Sequence, residues 1–288
     1  MKVRIAVGLG GAGVSLEEFS STVHAVARSR FDSLWVSEVL TGAGPDPLVA
    51  LAVASALESR LKLGTTMLLP GRHEVRLAKA LATLDMLSGG RLLLTFVPGL
   101  ARGAERGAVG VAVGERGEAI ERTLPRLRRW WAGEQVDGIT VSPAPIQQPL
   151  EPWLGGLAAA ALDRCGRLAD GWLGAACTPV EAAAAKAAIE RAADAASRHI
   201  DPEHFGMSIG YGRAGVDEGY LSGVAERLRG RDVDPLEVVP VGYAAVRTMI
   251  EQYVEVGIPK FVLRPLHLDR PWPEELEELG AAVAHLQT

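Results

Sequence analysis

The sequence predicts an α/β fold, a (β/α)8 TIM barrel that forms a single domain over residues 1–288. Three observations carry this prediction. Eight strand-like segments alternate with helix-like segments along the whole chain. Residues 61–99 hold two continuous apolar strands on either side of a helix, a pattern typical of a parallel sheet covered on both faces. The chain is 48% hydrophobic, enough for one large core, and α/β barrels routinely form one domain at this length.

The eight predicted strands are short apolar runs, at residues 3–9, 34–37, 62–69, 92–97, 152–154, 171–175, 205–211 and 260–264. The predicted helices are residues 16–30, 47–58, 115–132, 157–168, 180–198, 220–228, 244–256 and 273–287, with a further one between the turns at 70–71 and 88–90. Ser15 with Glu18 forms a capping-box pattern before the first helix, and Asp46 followed by Pro47 marks the start of the second. Residues 133–149 contain three prolines and three glutamines, which predicts a loop with a short hairpin at 138–142.

Composition narrows the classes of partner. The net charge of −5 and the pI near 5.8 argue against nucleic-acid or acidic-membrane partners. No apolar run approaches the roughly 20 residues that span a bilayer, and glycines interrupt the apolar start of the chain, so we expect a cytoplasmic protein. Cys165 and Cys177 lie among small apolar residues and are interpreted as core residues. The six histidines are dispersed, and we expect no metal site.

A glycine motif offers an alternative fold. Residues 8–13 read G-x-G-x-x-G after a predicted strand and before a helix, as in dinucleotide-binding proteins with a doubly wound sheet. Glu38 then stands where such folds place the acid that holds a ribose. Because the capping box at Ser15 begins the helix beyond the third glycine, an open loop at the mouth of a barrel is favoured.

A second motif suggests a serine hydrolase. Residues 206–210 satisfy G-x-S-x-G, and Asp217, Asp232 and His267 follow in hydrolase order. A nucleophile elbow needs a sharp strand-to-helix turn directly after the serine. The strand pattern instead continues to Tyr211, which favours an ordinary barrel strand.

The third candidate site is the set of strand ends, because barrel enzymes place their chemistry at the carboxyl ends of their strands. These ends are Ser37-Glu38, Thr65-Thr66-Met67, Val97-Pro98-Gly99, Gly155-Gly156-Leu157 and Cys177-Thr178. Taken alone, the glycines form simple turns and the threonines pack as β-branched strand residues. A lone glutamate at a strand end is more often a helix cap or an ion-pair member than a catalyst, although a cofactor cleft can raise the pKa of such a group.

Several runs resemble one protein family. They are FDSLWVSE (31–38), LGTTMLLP (63–70), LAKALATLDMLSGGR (77–91), EPWLGG (151–156), RLADGW (167–172) and VGIPKFVLRP (256–265). Together they look like the luciferase-like monooxygenase superfamily, a TIM-barrel group that uses FMN or the deazaflavin coenzyme F-420. The resemblance covers nearly the whole chain.

The resemblance implies a cofactor site. It places a non-proline cis peptide between Thr66 and Met67, in a bulge that backs the flavin or deazaflavin ring. Met67, Leu68 and Phe96 would line the ring pocket, and Thr65 and Thr66 would bond the edge of the ring. Glu38 would bond the ring or the substrate as the catalytic residue. The cofactor-binding set it implies is Glu38, Thr65, Thr66, Met67, Phe96, Pro98, Gly99, Gly155, Gly156, Leu157 and Thr178, with the backbone at Gly155 and Gly156 receiving the cofactor phosphate.

Two positions depart from the family pattern. Relatives often carry a histidine after strand two, where this chain has Val39. An acid that some relatives carry after strand four is replaced by Leu100. His73 is interpreted as a surface residue at the start of a helix.

The leading functional hypothesis is an oxidoreductase that moves a hydride between coenzyme F-420 and a small organic substrate. An FMN-dependent monooxygenase is the alternative, and a non-catalytic flavin-binding barrel, suggested by Val39, is a third. The resemblance also implies a homodimer through helices of the second and third units. Substrate identity depends on the loops 100–114, 133–149 and 212–240, which carry no readable motif.

Overall fold

The protein is a closed parallel barrel in the computed structural model, which describes residues 1–9, 15–101 and 103–288. The strands pair in the order of the chain, and the last strand closes on the first. They are β1 (Arg4–Leu9), β2 (Ser33–Ser37), β3 (Lys62–Leu68), β4 (Leu92–Val97), β5 (Pro152–Gly155), β6 (Gly171–Ala175), β7 (Phe205–Tyr211) and β8 (Lys260–Pro265). The predicted TIM barrel is therefore confirmed.

Helices cover the outside of this barrel. They are α1 (Leu16–Arg28), α2 (Pro47–Leu57), α3 (Glu74–Ser88), α4 (Glu105–Ala108), α5 (Arg116–Trp131), α6 (Ala159–Leu168), α7 (Pro179–Ala195), α8 (Glu218–Arg227), α9 (Tyr243–Glu255) and α10 (Trp272–Val283). The short α4 lies in a segment that the sequence predicted as loop. The helix α8 belongs to an insertion between β7 and α9.

The predicted helix starts are confirmed where a side chain caps the helix. Ser15 and Glu18 form the capping box of α1, and the Asp46 carboxylate accepts hydrogen bonds from the first turn of α2. The start of α6 differs: the helix begins at Ala159 rather than at Leu157, because Gly156 has a φ of +120° and Ala158 is still extended. The predicted hairpin is displaced to a tight turn in which Val136 pairs with Ile139.

Side chains alternate between two cores. Those that point outward pack against the helices in one large cluster, which includes Met67 and Phe96. Those that point inward form a smaller layer inside the barrel, made of Ala6, Trp35, Leu173 and Val262 with Leu93 and Trp153 against them. The two tryptophan rings fit because glycines face them: a Cβ on Gly64 would lie 1.8 Å from Trp35 Cε3, and one on Gly171 would lie 2.5 Å from Trp153 Cε2.

Candidate active site at the carboxyl end of the barrel

A cavity of about 360 Å³ opens at the carboxyl end of the barrel. This volume is within the range of small-molecule pockets, roughly 300–1,000 Å³. Every strand contributes to its lining, through Leu9, Ser37, Thr66, Val97, Gly155, Ala175, Ser208 and Arg264 in chain order. The sequence predicts a site at the strand ends, and the fold brings these ends together around the cavity.

The lining is mostly apolar, with hydroxyl groups from Ser37, Thr66 and Ser208. Among the described residues, the ionisable side chains that line it are Arg227, on α8, and Arg264, at the end of β8. Neither a carboxylate nor an imidazole, amine or thiol belongs to that set. A serine needs an adjacent base to become a nucleophile, so the described lining offers positioning groups and positive charge rather than acid–base or nucleophilic chemistry.

Thr66 is the predicted site residue with the most defined role. Its Oγ1 lies 2.9 Å from Trp35 Nε1 and accepts a hydrogen bond from it. An indole N–H can only donate, so this bond leaves the hydroxyl proton of Thr66 free to donate into the cavity. Trp35, which lies in the inner layer below, therefore orients a donor at the floor of the site.

Three neighbours of Thr66 in the predicted ring pocket lie elsewhere. Thr65, Met67 and Phe96 are fully buried, and none of them lines the cavity. The cause is the two-residue alternation of a strand: if Thr66 points into the barrel, then Thr65 and Met67 point outward. Phe96 pairs with Met67 in the β3–β4 register and lies in the same outer core. Val97, the next residue, lines the cavity instead.

The expected cis peptide between Thr66 and Met67 is wrong. In the described parts of the chain, cis bonds precede Pro143 and Pro149, and the Thr66–Met67 bond is trans. β3 pairs with β4 in an unbroken register from Leu63 to Leu68, so β3 contains no bulge that would accommodate a turned peptide.

Glu38 ties two strands together rather than facing the cavity. Its side chain is only 5% exposed, its Oε2 accepts a hydrogen bond of 2.7 Å from the backbone N–H of Leu68, and its Oε1 pairs with the Arg72 guanidinium. Both carboxylate oxygens are thus occupied, and the catalytic role expected of Glu38 has no support in this geometry. Val39, at the position of the family histidine, does line the cavity.

The turn after β5 has the features expected of an anion site. Gly155, Gly156 and Leu157 all line the cavity. The φ of +120° at Gly156 is a conformation that side chains disfavour, and the Gly156 carbonyl is held by Trp172 Nε1 at 2.9 Å. α6 starts directly afterwards without a side-chain cap, because its N-cap residue is Ala158. The first N–H groups of the helix therefore lack a side-chain acceptor and suit an anion.

Thr178 has a structural role instead. It caps α7 in a capping box with Glu181, whose carboxylate also pairs with Arg231. Thr178 does not line the cavity. The T-x-x-E spacing from Thr178 to Glu181 indicates such a capping box in the sequence. The prediction that Thr178 binds the cofactor did not take this spacing into account.

Pro98 and Gly99 shape the turn after β4 and do not line the cavity. Gly99 has a φ of +83°, and a Cβ there would lie 2.8 Å from Leu68 Cδ2. The fully buried Arg116 on α5 holds this turn through the carbonyls of Pro98 and Leu100, at 3.3 and 2.8 Å. Sequence reasoning missed Arg116, which resembles any other helix arginine.

The structure does not support the serine-hydrolase motif at residues 206–210 or the dinucleotide-binding motif at residues 8–13. Ser208 lies within β7, which runs on to Tyr211, so the sharp turn of a hydrolase elbow is missing. In the glycine motif, Gly10–Val14 lie outside the described residues. Burial raises the pKa of the Cys165 and Cys177 thiols to about 12, so both are neutral core groups at neutral pH.

The described residues contain no helix that is both long and apolar enough to span a bilayer. Nor do they contain three His, Cys, Asp or Glu side chains grouped as a metal ion would require.

Comparison with known proteins agrees with the fold. Residues 2–256 match the family described as luciferase-like monooxygenase. An uncharacterised protein of Mycobacterium tuberculosis is 34% identical over 142 residues, which are 44% of this chain and 49% of that protein. The oxygenase component of a flavin-dependent trigonelline monooxygenase from Acinetobacter baylyi is 30% identical over 122 residues, 38% of this chain and 33% of that protein. The matches thus span half or less of these curated relatives.

A solved structure extends the comparison to the whole chain. An F-420-dependent secondary alcohol dehydrogenase, solved in complex with an F-420–acetone adduct, superposes with a TM-score of 0.80 and covers 100% of both chains. At 15% sequence identity this likeness shows the fold. Because the family match covers most of its length, the chain belongs to the luciferase-like monooxygenase family.

Proposed function

We propose that the protein is an oxidoreductase that transfers a hydride between coenzyme F-420 and a small organic substrate in the cavity at the carboxyl end of the barrel. The observation that carries the proposal is the chemistry of that cavity. Its described lining has hydroxyls and two arginines but no acid, base or activated nucleophile. Such a site depends on a bound cofactor for its chemistry, and the protein supplies position, electrostatics and exclusion of water.

The described residues fit a cofactor that carries a phosphate. Gly155 and Gly156 line the cavity, and the uncapped start of α6 presents backbone donors beside them. A Cβ on Gly156 would lie 3.0 Å from the Ala161 Cβ, so a larger residue would crowd this turn. These residues would hold the phosphate.

The other lining residues would position a ring and a substrate. A bound deazaflavin supplies or accepts the hydride at its ring. Thr66, oriented by Trp35, would donate a hydrogen bond from its hydroxyl group to the edge of the ring. Ser208, across the barrel on β7, offers a second hydroxyl, and the apolar side chains of Val39 and Leu157 would exclude water from the reacting atoms.

The alternative cofactor is FMN, with oxygen as a second substrate. The Acinetobacter relative is named a flavin-dependent monooxygenase, and the superposed dehydrogenase is named F-420-dependent. We prefer F-420 because the described cavity has no acid–base group. Reduction of the oxidised deazaflavin takes up both the hydride of an alcohol C–H and the proton of its hydroxyl, so the net reaction would need no acid or base from the protein.

The test is turnover under two atmospheres. The purified protein is given oxidised F-420 and a panel of small alcohols, including hydroxy acids and phosphorylated alcohols, without oxygen, and separately reduced FMN with the same panel and oxygen. Loss of the visible absorption of F-420 that needs both protein and substrate is the expected result. Oxygen-dependent substrate oxidation with FMN alone would contradict the proposal in favour of the monooxygenase, and cofactor binding without turnover would favour a non-catalytic barrel.

We also propose a homodimer, supported by the surface of α2. This helix carries no charged residue from Pro47 to Leu57, and Val49 on it is 64% exposed. A helix that is apolar on all sides is ordinarily buried. Analytical ultracentrifugation should show a dimer that Val49→Glu converts to a monomer, while Leu16→Glu, at an equally exposed apolar residue on α1, leaves the dimer intact.

A further inference from the structure

Arg264 lies beside a glycine on each of the two neighbouring strands. It lies at the end of β8, between β1 and β7. A Cβ on Gly8 would lie 3.5 Å from the Arg264 Cβ, and a Cβ on Gly210 would lie 3.4 Å from the Arg264 Nη2. The half-buried Arg264 side chain thus packs in ordinary van der Waals contact beside glycines of both flanking strands, at the rim of the cavity, which it lines.

The Arg264 guanidinium has few partners for its place in the fold. In the described structure its one hydrogen bond is from Nη2 to the Tyr220 hydroxyl, at 3.2 Å. A guanidinium has five N–H donors. No carboxylate within ion-pair distance of it belongs to the described residues, and Arg227, which also lines the cavity, adds a second positive charge there without such a partner.

Other arginines at this end of the barrel have full sets of partners: three pair with acids, and the fully buried Arg116 is bonded by four backbone carbonyls. Arg72 pairs with Glu38, Arg231 with Glu181, and Arg270 with Glu275 at 3.0 Å. A partly desolvated cation without a counterion is unfavourable in the free protein. The unmatched charge at Arg264 is therefore best explained by an anion that arrives with a ligand.

We propose that Arg264 and Arg227 form a subsite for an anionic group of the organic substrate, a carboxylate or a phosphate. The proposal rests on the function proposed above, in which the cofactor phosphate lies at Gly155 and Gly156. Planar guanidinium groups bind both kinds of anion through paired hydrogen bonds. The substrate class is thus narrowed to small organic acids or phosphate esters. The other possible source of the same chemistry is the anionic tail of the cofactor itself.

The test uses inorganic phosphate as the probe. Its affinity is measured by calorimetric titration at constant ionic strength, on the apoprotein and on protein saturated with FMN or F-420. The variants are Arg264→Gln, Arg264→Lys and Arg191→Gln, the last removing an exposed arginine on α7 that does not line the cavity. Thermal midpoints confirm that each variant is folded.

We expect cofactor-saturated protein to bind phosphate, and Arg264→Gln to weaken that binding by about tenfold or more, since a charged hydrogen-bond partner is lost. Arg264→Lys should recover part of the affinity, and Arg191→Gln should stay within about twofold of the wild type because surface charge alone contributes little. Equal phosphate affinity in wild type and Arg264→Gln would overturn the proposal.

A second pair of ligands separates the two sources of the anion. FMN and riboflavin differ by the phosphate, so their affinity ratio reports where that phosphate binds. If the ratio is unchanged in Arg264→Gln, the anion belongs to the substrate, as proposed. If the ratio collapses and saturation with FMN abolishes phosphate binding, the cofactor uses Arg264 and the proposal fails. If no cofactor binds but phosphate binding to the apoprotein depends on Arg264, the subsite stands and the proposed function fails.

Discussion

The two ends of this barrel hold cavities of nearly equal volume, one lined by charges of both signs and the other by positive charge alone among the described residues. The amino-end cavity measures about 340 Å³ and the carboxyl-end cavity about 360 Å³. Charges at the amino end are matched: Asp32 lies 3.4 Å from Arg4 and 3.5 Å from Lys62, and Lys260 lies 3.4 Å from Glu203. The described lining at the carboxyl end has two arginines and no acid.

Because the two cavities have nearly the same volume, cavity volume alone does not distinguish a ligand-binding site in this protein. The amino end has already satisfied its charged groups within the protein, so it has little to offer a ligand. The carboxyl end keeps backbone donors at the start of α6 and a guanidinium at Arg264 without full partners. These unmatched polar groups are the reason for placing the proposed binding site at the carboxyl end.

A layer of aromatic and aliphatic side chains separates the two cavities. Leu173 lines both of them, and Trp35 lines the amino-end cavity while its Nε1 bonds Thr66 in the other. The largest predicted effect follows from removing this wall. Trp35→Ala should join the cavities and lower the free energy of unfolding by about 3–5 kcal/mol, as for other buried aromatic side chains. Urea denaturation measures the change.

Trp35→Phe is the matched control, because it keeps an aromatic ring in the wall and removes the donor to Thr66. It should lose less stability than Trp35→Ala but still weaken cofactor binding. A loss below about 1 kcal/mol for Trp35→Ala would show that the ring is not the wall between the two ends, since a truncation in a packed core exceeds that value.

The next effect tests whether Glu38 serves structure or catalysis. Glu38→Gln removes the charge that pairs with Arg72 while keeping an oxygen for the Leu68 N–H. The free energy of unfolding should fall by about 1–3 kcal/mol, the range for a hydrogen bond to a charged group. Turnover of the folded variant should stay near that of the wild type. A fall in turnover of about 100-fold at unchanged stability would restore the acid–base role.

The smallest effect is expected at the amino end. Lys260→Met should change the free energy of unfolding by less than about 1 kcal/mol, because the ion pair with Glu203 is partly exposed. Cofactor affinity should not change. A large loss of cofactor affinity would indicate that the cofactor binds in the amino-end cavity rather than the carboxyl-end cavity.

The difference in the free energy of unfolding between wild type and Lys260→Met should also depend on pH. Burial lowers the pKa of Lys260 below its usual 10.5, and the positive charge of Arg4 lowers it further. The carboxylates of Glu203 and Asp32 raise this pKa but do not offset the effect of burial. Between the lowered pKa and 10.5 the unfolded chain binds more protons than the folded one, so this lysine's contribution to stability rises with pH. Wild type should therefore gain stability relative to Lys260→Met as pH rises toward 10.5, and a falling difference would contradict the assigned shift.

The sequence was sufficient for the fold because the strand and helix signals agreed with the barrel along the whole chain, against the one glycine motif at residues 8–13. Continuous apolar strands alternated with helices whose starts at Ser15 and Asp46 were readable from capping residues. The boundary at α6 was missed because its start depends on the backbone conformation of Gly156 rather than on a side-chain cap.

The site was harder to predict because it depends on which face of each strand points inward. Strand alternation alone excludes Thr65 and Met67 from one pocket with Thr66, and that signal was available in the sequence. The role proposed for Arg264 could not be predicted from the sequence, because an arginine without an acidic partner is recognised only after folding has brought β1, β7 and β8 together.

The most direct test of the distinction between the two ends is equilibrium binding of coenzyme F-420 and FMN, side by side, to the purified apoprotein. Gly156→Asp places a negative charge in the turn after β5, Gly156→Ala controls for backbone strain at its φ of +120°, and Lys260→Met controls for the amino end. We expect Gly156→Asp to weaken binding by about 100-fold or more beyond Gly156→Ala, because it sets a carboxylate against the cofactor phosphate, while Lys260→Met binds as wild type. Equal affinity in wild type and Gly156→Asp would contradict the assignment of the cofactor to the carboxyl end of the barrel.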